Sequence, residues 1–354
     1  MTNLYIRADG GAEIGFGHLT RCHALAQEAR RRGLRPRFLT HAGDGSGRAK
    51  LDALGEDVSL LPDGSGSAAD LMATLEAMKR RQEGQPLSEA MLVTDHNSLD
   101  TSWISGARDA GPLVMSLNDL PRITYASHIV VNGNLGAERL AYRVSRDTQL
   151  LLGPDYFFFR DAFLRPDLQR RTQPDRAEHV VVSLGAGDPA NVTEQVLRSL
   201  EGITPALRVT IVVGGAYGHL ESLEEAARGS SHKVGIKVDL PETAEVFATA
   251  DLAISAGGST AYEMARLGVP ALLLVLSETQ KDAAEALDRA GVALCLGAPD
   301  GADVAGALGA LLADGERRRA MADQGMALFD GRGRERVLDA AAARMAGTHG
   351  RASA

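Results

Sequence analysis

The chain has 354 residues, 44% of them hydrophobic and 24% charged, which is typical of a globular protein too long for one hydrophobic core. Its formal net charge of −8 argues against a nucleic-acid-binding protein, and no apolar run reaches the roughly 18 residues that a membrane span needs. Cys22 and Cys295 are too far apart for a paired zinc-site or disulfide spacing, and the first residues lack a signal-peptide pattern. We therefore expect a cytoplasmic protein of two domains, with no nucleic-acid partner.

Strand-like and helix-like segments alternate along the first half of the chain. Short apolar runs that end in polar residues predict strands, and longer amphipathic segments predict helices. This alternation is typical of a mostly parallel sheet with helices on both faces. We interpret residues 157–159, three phenylalanines, as packing residues, with an edge strand or an anchor between two halves as alternatives. The predicted strands are residues 4–6, 36–40, 90–96, 113–119, 128–132 and 149–154, and the predicted helices are residues 24–33, 69–81 and 99–110.

A polar segment without apolar periodicity, residues 164–178, predicts a linker, after which the same plan restarts. We expect a Rossmann-like N-terminal domain (1–163), a C-terminal nucleotide-binding domain (179–346) and a tail (347–354), with the last helix able to pack on the first domain. The carboxyl-end loops of two such α/β domains are expected to face a cleft, where a ligand binds. The predicted strands are 179–184, 208–213, 233–240, 252–255 and 269–275. The predicted helices are 192–200, 244–250 and one through residue 263, and helices fill most of the chain after residue 275.

A glycine-rich loop, residues 7–22, joins the first predicted strand to the first helix. Gly15 and Gly17 allow the backbone to approach a ligand, and the helix N-terminus offers N–H groups to an anion. His18 can exchange a proton near neutral pH, although a helix-start residue without catalytic function is the alternative. The spacing differs from the dinucleotide fingerprint, and the second strand ends in His41 instead of an acidic residue, which argues against an NAD site.

A second glycine loop, residues 255–260, follows a predicted strand of the C-terminal half. Gly257 and Gly258 can expose N–H groups to a diphosphate, and Glu263 lies one turn into the helix, where its carboxylate suits the vicinal hydroxyls of a ribose. The alternative, of equal weight, is a plain helix N-terminus with Glu263 favoured by the helix dipole. The loop 183–191 offers further N–H groups and hydroxyls to a phosphate, and the alternative function of Asp188 is to cap the next helix. No spacing of acidic residues and histidines matches a standard metal-ligand set.

Motifs along nearly the whole chain resemble the UDP-2,4-diacetamido-2,4,6-trideoxy-β-L-altropyranose hydrolases of pseudaminic acid biosynthesis. The signature around His18 is specific to that group, whereas the signature from Gly257 to Glu263 is shared with GT-B glycosyltransferases in general. The matching motifs are Ile6-Arg7-Ala8-Asp9, Ile14-Gly15-Phe16-Gly17-His18, Arg21-Cys22, Asp95-His96, Leu99-Asp100, Asn132, Asn134-Leu135-Gly136-Ala137, Gly153-Pro154, Ser183, Asp188-Pro189-Ala190-Asn191, Ala256-Gly257-Gly258-Ser259-Thr260 and Glu263.

The resemblance implies an α/β fold of the GT-B type and a hydrolase that cleaves the sugar C1–O bond of a UDP-linked amino-deoxy sugar with inversion. It implies no metal and no cofactor, and it makes His18 the general base that activates water. The diphosphate would contact the glycine loops, the ribose would contact Glu263, and the uracil would contact the backbone near Leu240. The residues assigned to substrate binding are Gly15, Gly17, Arg21, Asp95, Asn97, Gly185, Ala186, Asp188, Leu240, Gly257, Gly258, Ser259, Thr260, Glu263, Thr279 and Gln280.

The sequence departs from the family pattern at three places. Asn97 stands where the family has tyrosine, Thr279 where it has asparagine, and Gly185-Ala186 where it has two glycines. Because the first two positions border the sugar in the family, the departures favour a UDP-sugar enzyme with a shifted sugar substrate. A GT-B glycosyltransferase in which His18 deprotonates an acceptor hydroxyl, and a non-catalytic nucleotide-sugar binder, are the alternatives. We expect a monomer.

Overall fold

The computed structural model describes residues 2–11, 14–62, 67–168, 173–185 and 187–352, with the side chains of residues 348–352 left out. The chain divides into two compact units, Met1–Asp161 with Gly331–Ala354, and Ala162–Asp330. The sequence places the first boundary at residue 163 and assigns residues up to 346 to the second domain, whereas the structure assigns the segment from Gly331 onward to the first unit.

Parallel strands and helices alternate in both units. The strands are β1 (Asn3–Ala8), β2 (Arg35–His41), β3 (Val58–Leu61), β4 (Met91–Asp95), β5 (Leu113–Leu117), β6 (Thr124–Tyr125), β7 (Ile129–Asn132), β8 (Arg143–Val144), β9 (Gln149–Leu152), β10 (His179–Ser183), β11 (Arg208–Val213), β12 (Lys233–Val238), β13 (Leu252–Ala256), β14 (Ala271–Leu274) and β15 (Ala293–Cys295). The α-helices are α1 (Gly17–Arg31), α2 (Ser46–Ala53), α3 (Ser67–Arg81), α4 (Thr101–Asp109), α5 (Val192–Ser199), α6 (Leu220–Gly229), α7 (Ala244–Ala248), α8 (Ser259–Arg266), α9 (Glu278–Arg289), α10 (Val304–Ala313), α11 (Gly315–Leu328) and α12 (Gly333–Ala352).

The first unit is built on a seven-stranded parallel sheet in the order β3-β2-β1-β4-β5-β7-β9. Successive side chains of β1 point to opposite faces, as in any strand. Leu4 and Ile6 pack in a core with residues of α1 and α12, and Tyr5 packs in a second core with residues of α3 and α4. The strand order reverses between β1 and β4. In open α/β sheets such a reversal is where the loops after the strands separate and a ligand binds.

The second unit repeats this plan with a six-stranded parallel sheet in the order β12-β11-β10-β13-β14-β15. All residues of β10 and β13 are buried, which accounts for their continuous apolar runs. The order reverses between β10 and β13, so the loops after these two strands flank the reversal. Across the described part of the chain, no helix combines the length and apolar character that crossing a membrane requires.

The structure adds elements that the sequence analysis misses and changes one that it predicts. It adds α2, β3, α6 and β15, all of which bury few residues. Residues 157–159 are not a strand, and the rings of Phe157 and Phe159 pack together with centroids 4.7 Å apart. The final helix continues to Ala352, past residue 347 where the predicted tail begins. The alanine-rich sequence before Gly347 favours helix, and no proline stops it.

Candidate functional site

His18 is the second residue of α1, directly after the loop that follows β1. Gly11 and Gly15 close this loop by exchanging backbone hydrogen bonds of 2.8 and 3.2 Å. Gly15 has a φ of +77°, a conformation that residues with side chains rarely adopt, so the turn requires glycine. Gly17 begins α1, and a Cβ there would meet no atom of the described residues within 4 Å. The loop thereby places His18 at the reversal of the first sheet.

Asp95, the last residue of β4, is fully buried and accepts a hydrogen bond from His18. The distance from His18 Nδ1 to Asp95 Oδ1 is 2.6 Å. Since Ala8 pairs with Asp95 in the sheet, the ends of β1 and β4 bring the two residues together across 77 positions of sequence. A carboxylate that accepts from Nδ1–H fixes the imidazole tautomer, so neutral His18 carries its lone pair on Nε2.

Arg21, one turn further along α1, joins this pair to a second carboxylate. Its guanidinium donates to Asp95 through Nε (2.5 Å) and Nη2 (2.6 Å), and to Asp119 through Nη1 (2.7 and 2.8 Å). Asp119, which follows β5, also accepts from Asn134 Nδ2 at 2.9 Å. Neither carboxylate contact follows from a local pattern, and the sequence analysis does not include Asp119 in the site.

The charges in this cluster shift the pKa values of its members. The hydrogen bond to Asp95 raises the pKa of His18 above its usual value, against the opposing effect of burial. Burial alone would raise the pKa of Asp95, but Arg21 and His18 outweigh burial and hold that pKa well below its usual range. Asp95 therefore stays ionised next to His18, where it can stabilise a proton on the imidazole.

Asn97 lies on the other side of the imidazole, with Nδ2 3.5 Å from His18 Nε2. It also lines a pocket of the first unit, together with residues of β4, β5 and the segment around Tyr125. The open nitrogen of His18 thus faces a side-chain amide at the mouth of a pocket. Gly15, Gly17, His18, Arg21, Asp95 and Asn97, all predicted from the sequence, lie within this one region.

A second polar cluster lies at the same sheet edge and is centred on Arg7, which is fully buried. Arg7 donates to both carboxylate oxygens of Asp9 at 2.7 and 2.9 Å, and to Asp70 at 2.6 Å. Trp103 Nε1 donates to Asp70 at 2.7 Å, and His96 Nε2 lies 2.9 Å from Asp9. The sequence analysis notes Arg7, Asp9 and His96 only as matching motif positions and assigns them no function.

In the second unit, the loop after β13 leads directly into α8. Gly258 is the N-cap of α8, and among the described residues no side-chain hydrogen bond caps this helix. A Cβ on Gly257 would lie 2.8 Å from Ala284 Cβ and 3.1 Å from the Gln280 carbonyl oxygen, whereas one on Gly258 would meet nothing closer than 3.9 Å. Gly257 is therefore required for packing against α9, and Gly258 leaves backbone accessible. Ser259 and Thr260 begin the helix, so their N–H groups belong to its uncapped first turn.

The remaining predicted residues of this unit follow the carboxyl ends of its strands. Asp188 caps α5, because its two carboxylate oxygens accept from Val192 N (2.9 Å) and Thr193 N (2.7 Å). Helix capping is the alternative that the sequence analysis leaves open for Asp188, and both carboxylate oxygens accept hydrogen bonds from the helix backbone. Gly185 has a φ of +105° after β10, and Ala186 lies outside the described residues. Glu263 is 8% exposed in α8, and Leu240 follows β12.

Thr279 and Gln280 belong to the first turn of α9, after β14. Gln280 Oε1 accepts from the backbone N–H of Leu276 at 3.0 Å, and Thr279 Oγ1 lies 3.0 Å from Ser277 Oγ. The Gln280 amide is also the nearest group to the position of a Cβ on Gly258. Gln280 thus supports the end of β14 next to the glycine loop, and the binding functions predicted for both residues stay predictions.

Two solved structures show the class of fold that this chain has. MurG of Acinetobacter baumannii is 16% identical with a TM-score of 0.67, covering 96% of this chain and 99% of that one. HepE of Anabaena, solved in complex with UDP and glucose, is 12% identical with a TM-score of 0.61, covering 97% and 100%. These similarities confirm the predicted fold, two Rossmann-like α/β domains of the GT-B glycosyltransferase type.

Sequence comparisons agree with this glycosyltransferase-like class. Residues 179–333 match the family model described as the glycosyltransferase family 28 C-terminal domain. The chain is 23% identical over 285 residues to the protein MJ1062 of Methanocaldococcus jannaschii, covering 78% of this chain but only 56% of that protein. It is 27% identical over 298 residues to the spore coat polysaccharide biosynthesis protein SpsG of Bacillus subtilis, covering 82% and 83%.

Proposed function

We propose that the chain is a UDP-sugar hydrolase that releases UDP and a free sugar, with His18 as general base. The observation that carries the proposal is the His18–Asp95 pair. The buried carboxylate holds Nδ1 at 2.6 Å, and Nε2 faces the Asn97 amide at 3.5 Å. A histidine fixed in this way at the reversal of an α/β sheet is suited to take a proton from water.

In the proposed reaction, water donates a hydrogen bond to His18 Nε2 and can accept one from Asn97 Nδ2. The water oxygen attacks C1 of the sugar while the C1–O bond to the diphosphate breaks, and UDP leaves with the electron pair of that bond. The proton of the water passes to Nε2, and the resulting imidazolium is stabilised by Asp95. Attack opposite the leaving group inverts the configuration at C1.

The second unit would bind the nucleotide. The uncapped N-terminus of α8 and the accessible backbone at Gly258 suit the diphosphate, since N–H groups and the helix dipole favour negative charge. The match of residues 179–333 to the family 28 domain and the likeness to HepE, solved with UDP, support the same assignment. We assign the ribose to Glu263 and the uracil to the backbone near Leu240. Because Asp188 caps α5, its loop would contribute backbone groups to the phosphates.

We assign the pocket lined by Asn97 to the sugar side of the site. Leu117 and Tyr125 supply buried apolar surface, and Ser116 supplies a hydroxyl that accepts from Thr94 at 3.0 Å, which leaves its own proton free for a ligand. The Oδ1 of Asn118 is buried without a hydrogen-bond donor among the described residues. One donor, one acceptor and apolar walls therefore line this pocket.

A glycosyltransferase is the second candidate, and the family 28 match and the fold neighbours favour it. The same Nε2 lone pair would then deprotonate an acceptor hydroxyl instead of water, with the nucleotide bound in the same way. The two candidates differ in one observable, because only the hydrolase releases free sugar from the donor when no acceptor is present.

The test is UDP and sugar release from UDP-2,4-diacetamido-2,4,6-trideoxy-β-L-altropyranose and from a panel of other UDP-sugars, without acceptor and with EDTA present. The variants are His18→Ala and, as a matched control, His23→Ala. His23 lies on the same helix and also pairs with a carboxylate, that of Glu56, at 2.5 Å, so it controls for the loss of such a pair.

Release by the native protein and the His23 variant, but not by His18→Ala, is the expected result. UDP binding without release from any donor would contradict hydrolysis and favour the transferase, which is then tested with acceptors. Equal release by His18→Ala would contradict the assignment of His18 as base in both candidates.

A further inference from the structure

His96 lies between Asp95 and Asn97 and has no part in the reaction proposed above. Its ring is 18% exposed and makes two hydrogen bonds in opposite directions. The backbone N–H of Ser98 donates to Nδ1 at 3.1 Å, which makes Nδ1 the acceptor and places the ring proton on Nε2. Nε2 then donates to Asp9 Oδ2 at 2.9 Å. The ring thus connects its own turn to the end of β1.

The residue that His96 contacts is itself held rigidly. Asp9 accepts from Arg7 Nη1 and Nη2, from Thr40 Oγ1 at 2.9 Å and from the backbone N–H of His41 at 2.9 Å. Burial would raise the pKa of Asp9, but His96 and Arg7 hold it well below its usual range, so the carboxylate stays charged. Asp9 is therefore a fixed acceptor at the ends of β1 and β2.

The turn after β4 needs such an anchor. Asp95 is fixed by its pairing with Ala8, but the sheet pairing ends there, and α4 begins only at Thr101. Asn97 falls in the intervening segment and is exposed. Its position 3.5 Å from His18 Nε2 is thus not set by a strand or a helix.

We infer that His96 is a positioning residue, which holds Asn97 against His18 by connecting the turn of residues 96–98 to Asp9. The inference rests on the proposed function, because Asn97 matters only if the reaction takes place at Nε2. His96 itself does not touch the reacting atoms. Its effect on the reaction must then pass through Asn97, and this dependence can be measured.

Two substitutions test the two hydrogen bonds of His96 separately. In His96→Asn, the side-chain oxygen can still accept from the Ser98 N–H, as in an Asx turn, but the shorter side chain does not reach Asp9. In His96→Gln, the longer side-chain amide can still donate to Asp9. We expect His96→Asn to lower kcat about 10- to 100-fold, the cost of a misplaced polar group, and His96→Gln to recover most of it.

A double-mutant cycle with Asn97→Ala then tests the route of the effect. The expected result is that His96→Asn has no further effect on kcat once Asn97 is replaced. Trp103→Phe is the matched control, since it removes a hydrogen bond to Asp70 in the same cluster without touching His96. It should give additive effects with Asn97→Ala.

Crystal structures of both His96 variants complete the experiment and do not depend on turnover. A displaced Asn97 in His96→Asn and an unmoved one in His96→Gln would support the inference. Additive effects of His96→Asn and Asn97→Ala, or an Asn97 that keeps its place in His96→Asn, would overturn it. If the native protein released no sugar from any donor, the proposed function would fail, and the crystal structures would still decide whether His96 positions Asn97.

Discussion

Replacing Asp95 by asparagine should abolish most activity while leaving the size and shape of the site unchanged. The carboxylate accepts from His18 Nδ1 at 2.6 Å and from Arg21 Nε and Nη2. An amide has only one oxygen, and Arg21 donates to both carboxylate positions, Nε to Oδ2 and Nη2 to Oδ1, so the NH₂ group meets an Arg21 N–H in either orientation. We expect the orientation in which the oxygen takes the Oδ2 position and accepts from Arg21 Nε, while the NH₂ group donates to His18 Nδ1. His18 then keeps its proton on Nε2 and cannot act as a base from that atom.

The expected magnitude follows from this change of tautomer. In a triad of serine, histidine and aspartate, the same substitution lowers kcat about 10⁴-fold, or about 5 kcal/mol in the barrier. We expect a loss of about 10³- to 10⁴-fold here, because Asp95 is fully buried and no solvent can replace it as acceptor. Binding of UDP should not change, since the substitution leaves the second unit untouched.

The pH profile gives a second, independent measure. The hydrogen bond to Asp95 raises the pKa of His18, so the native activity should rise with pH through that elevated value as the base form appears. Removing the carboxylate lowers the pKa of His18, and the acid limb of the variant should therefore lie at lower pH. The assay is kcat/KM for UDP release from pH 5 to 9, with Glu56→Gln, next to His23 on α1, as the matched control. A variant that keeps more than a tenth of native kcat, with an unmoved acid limb, would refute the reasoning.

Three further predictions concern the buried charges and the glycine loop. Asp70→Asn should lower the free energy of unfolding by about 3–5 kcal/mol in urea titrations, because it removes a partner of fully buried Arg7. The control is Glu76→Gln on the same helix, which breaks only an exposed pair with Arg80 and should change the free energy of unfolding by less than about 0.5 kcal/mol. Gly258→Ala should weaken UDP binding in calorimetry without lowering the melting temperature. Gly257→Ala, whose Cβ would lie 2.8 Å from Ala284 Cβ, should lower the melting temperature. If Gly258→Ala bound UDP as tightly as the native protein, a diphosphate at that loop would be contradicted. The free energy of unfolding should fall as the pH drops below about 5, because Asp70 and Asp95 have lowered pKa values in the folded protein and bind fewer protons there than in the unfolded chain. If stability fell as steeply with pH in Asp70→Asn as in the native protein, this cause would be contradicted.

The strands were predictable because burial on both faces of a parallel sheet leaves a visible apolar run. Every residue of β4 and β5 is buried, and both appear in the sequence as short hydrophobic segments. The helix α6 was missed for the opposite reason, since Leu223 is its only buried residue among those described, although its charged residues recur at helical spacing. In α2, likewise, only Gly47 and Leu51 are buried.

The candidate site was predictable from spacing alone only where one segment holds its parts. The glycines and His18 stand in a single segment, so their chemistry could be inferred from spacing. Asp95, 77 positions from His18, was predicted only through the family resemblance. Asp119, which Arg21 contacts across 98 positions, was missed, because it reaches α1 only through the strand order. That order places β4 beside β1 and β5 next to it, a choice that no local pattern encodes. The Arg7 cluster was hidden by the same distance in sequence.

The reversals of the two sheets carry different chemistry although their strand orders are alike. At the first, the start of α1 and the end of β4 hold groups that titrate or carry charge, namely His18, Arg21 and Asp95, which are joined by short hydrogen bonds. At the second, the loops hold Gly257 and Gly258 before an uncapped helix, which offers backbone dipoles in place of ionisable groups. A base needs a partner that fixes its tautomer, whereas a bound diphosphate needs N–H groups and space. The proposed division, with the proton transfer in the first unit and the nucleotide in the second, follows from that difference in side chains and not from the fold, which both units share.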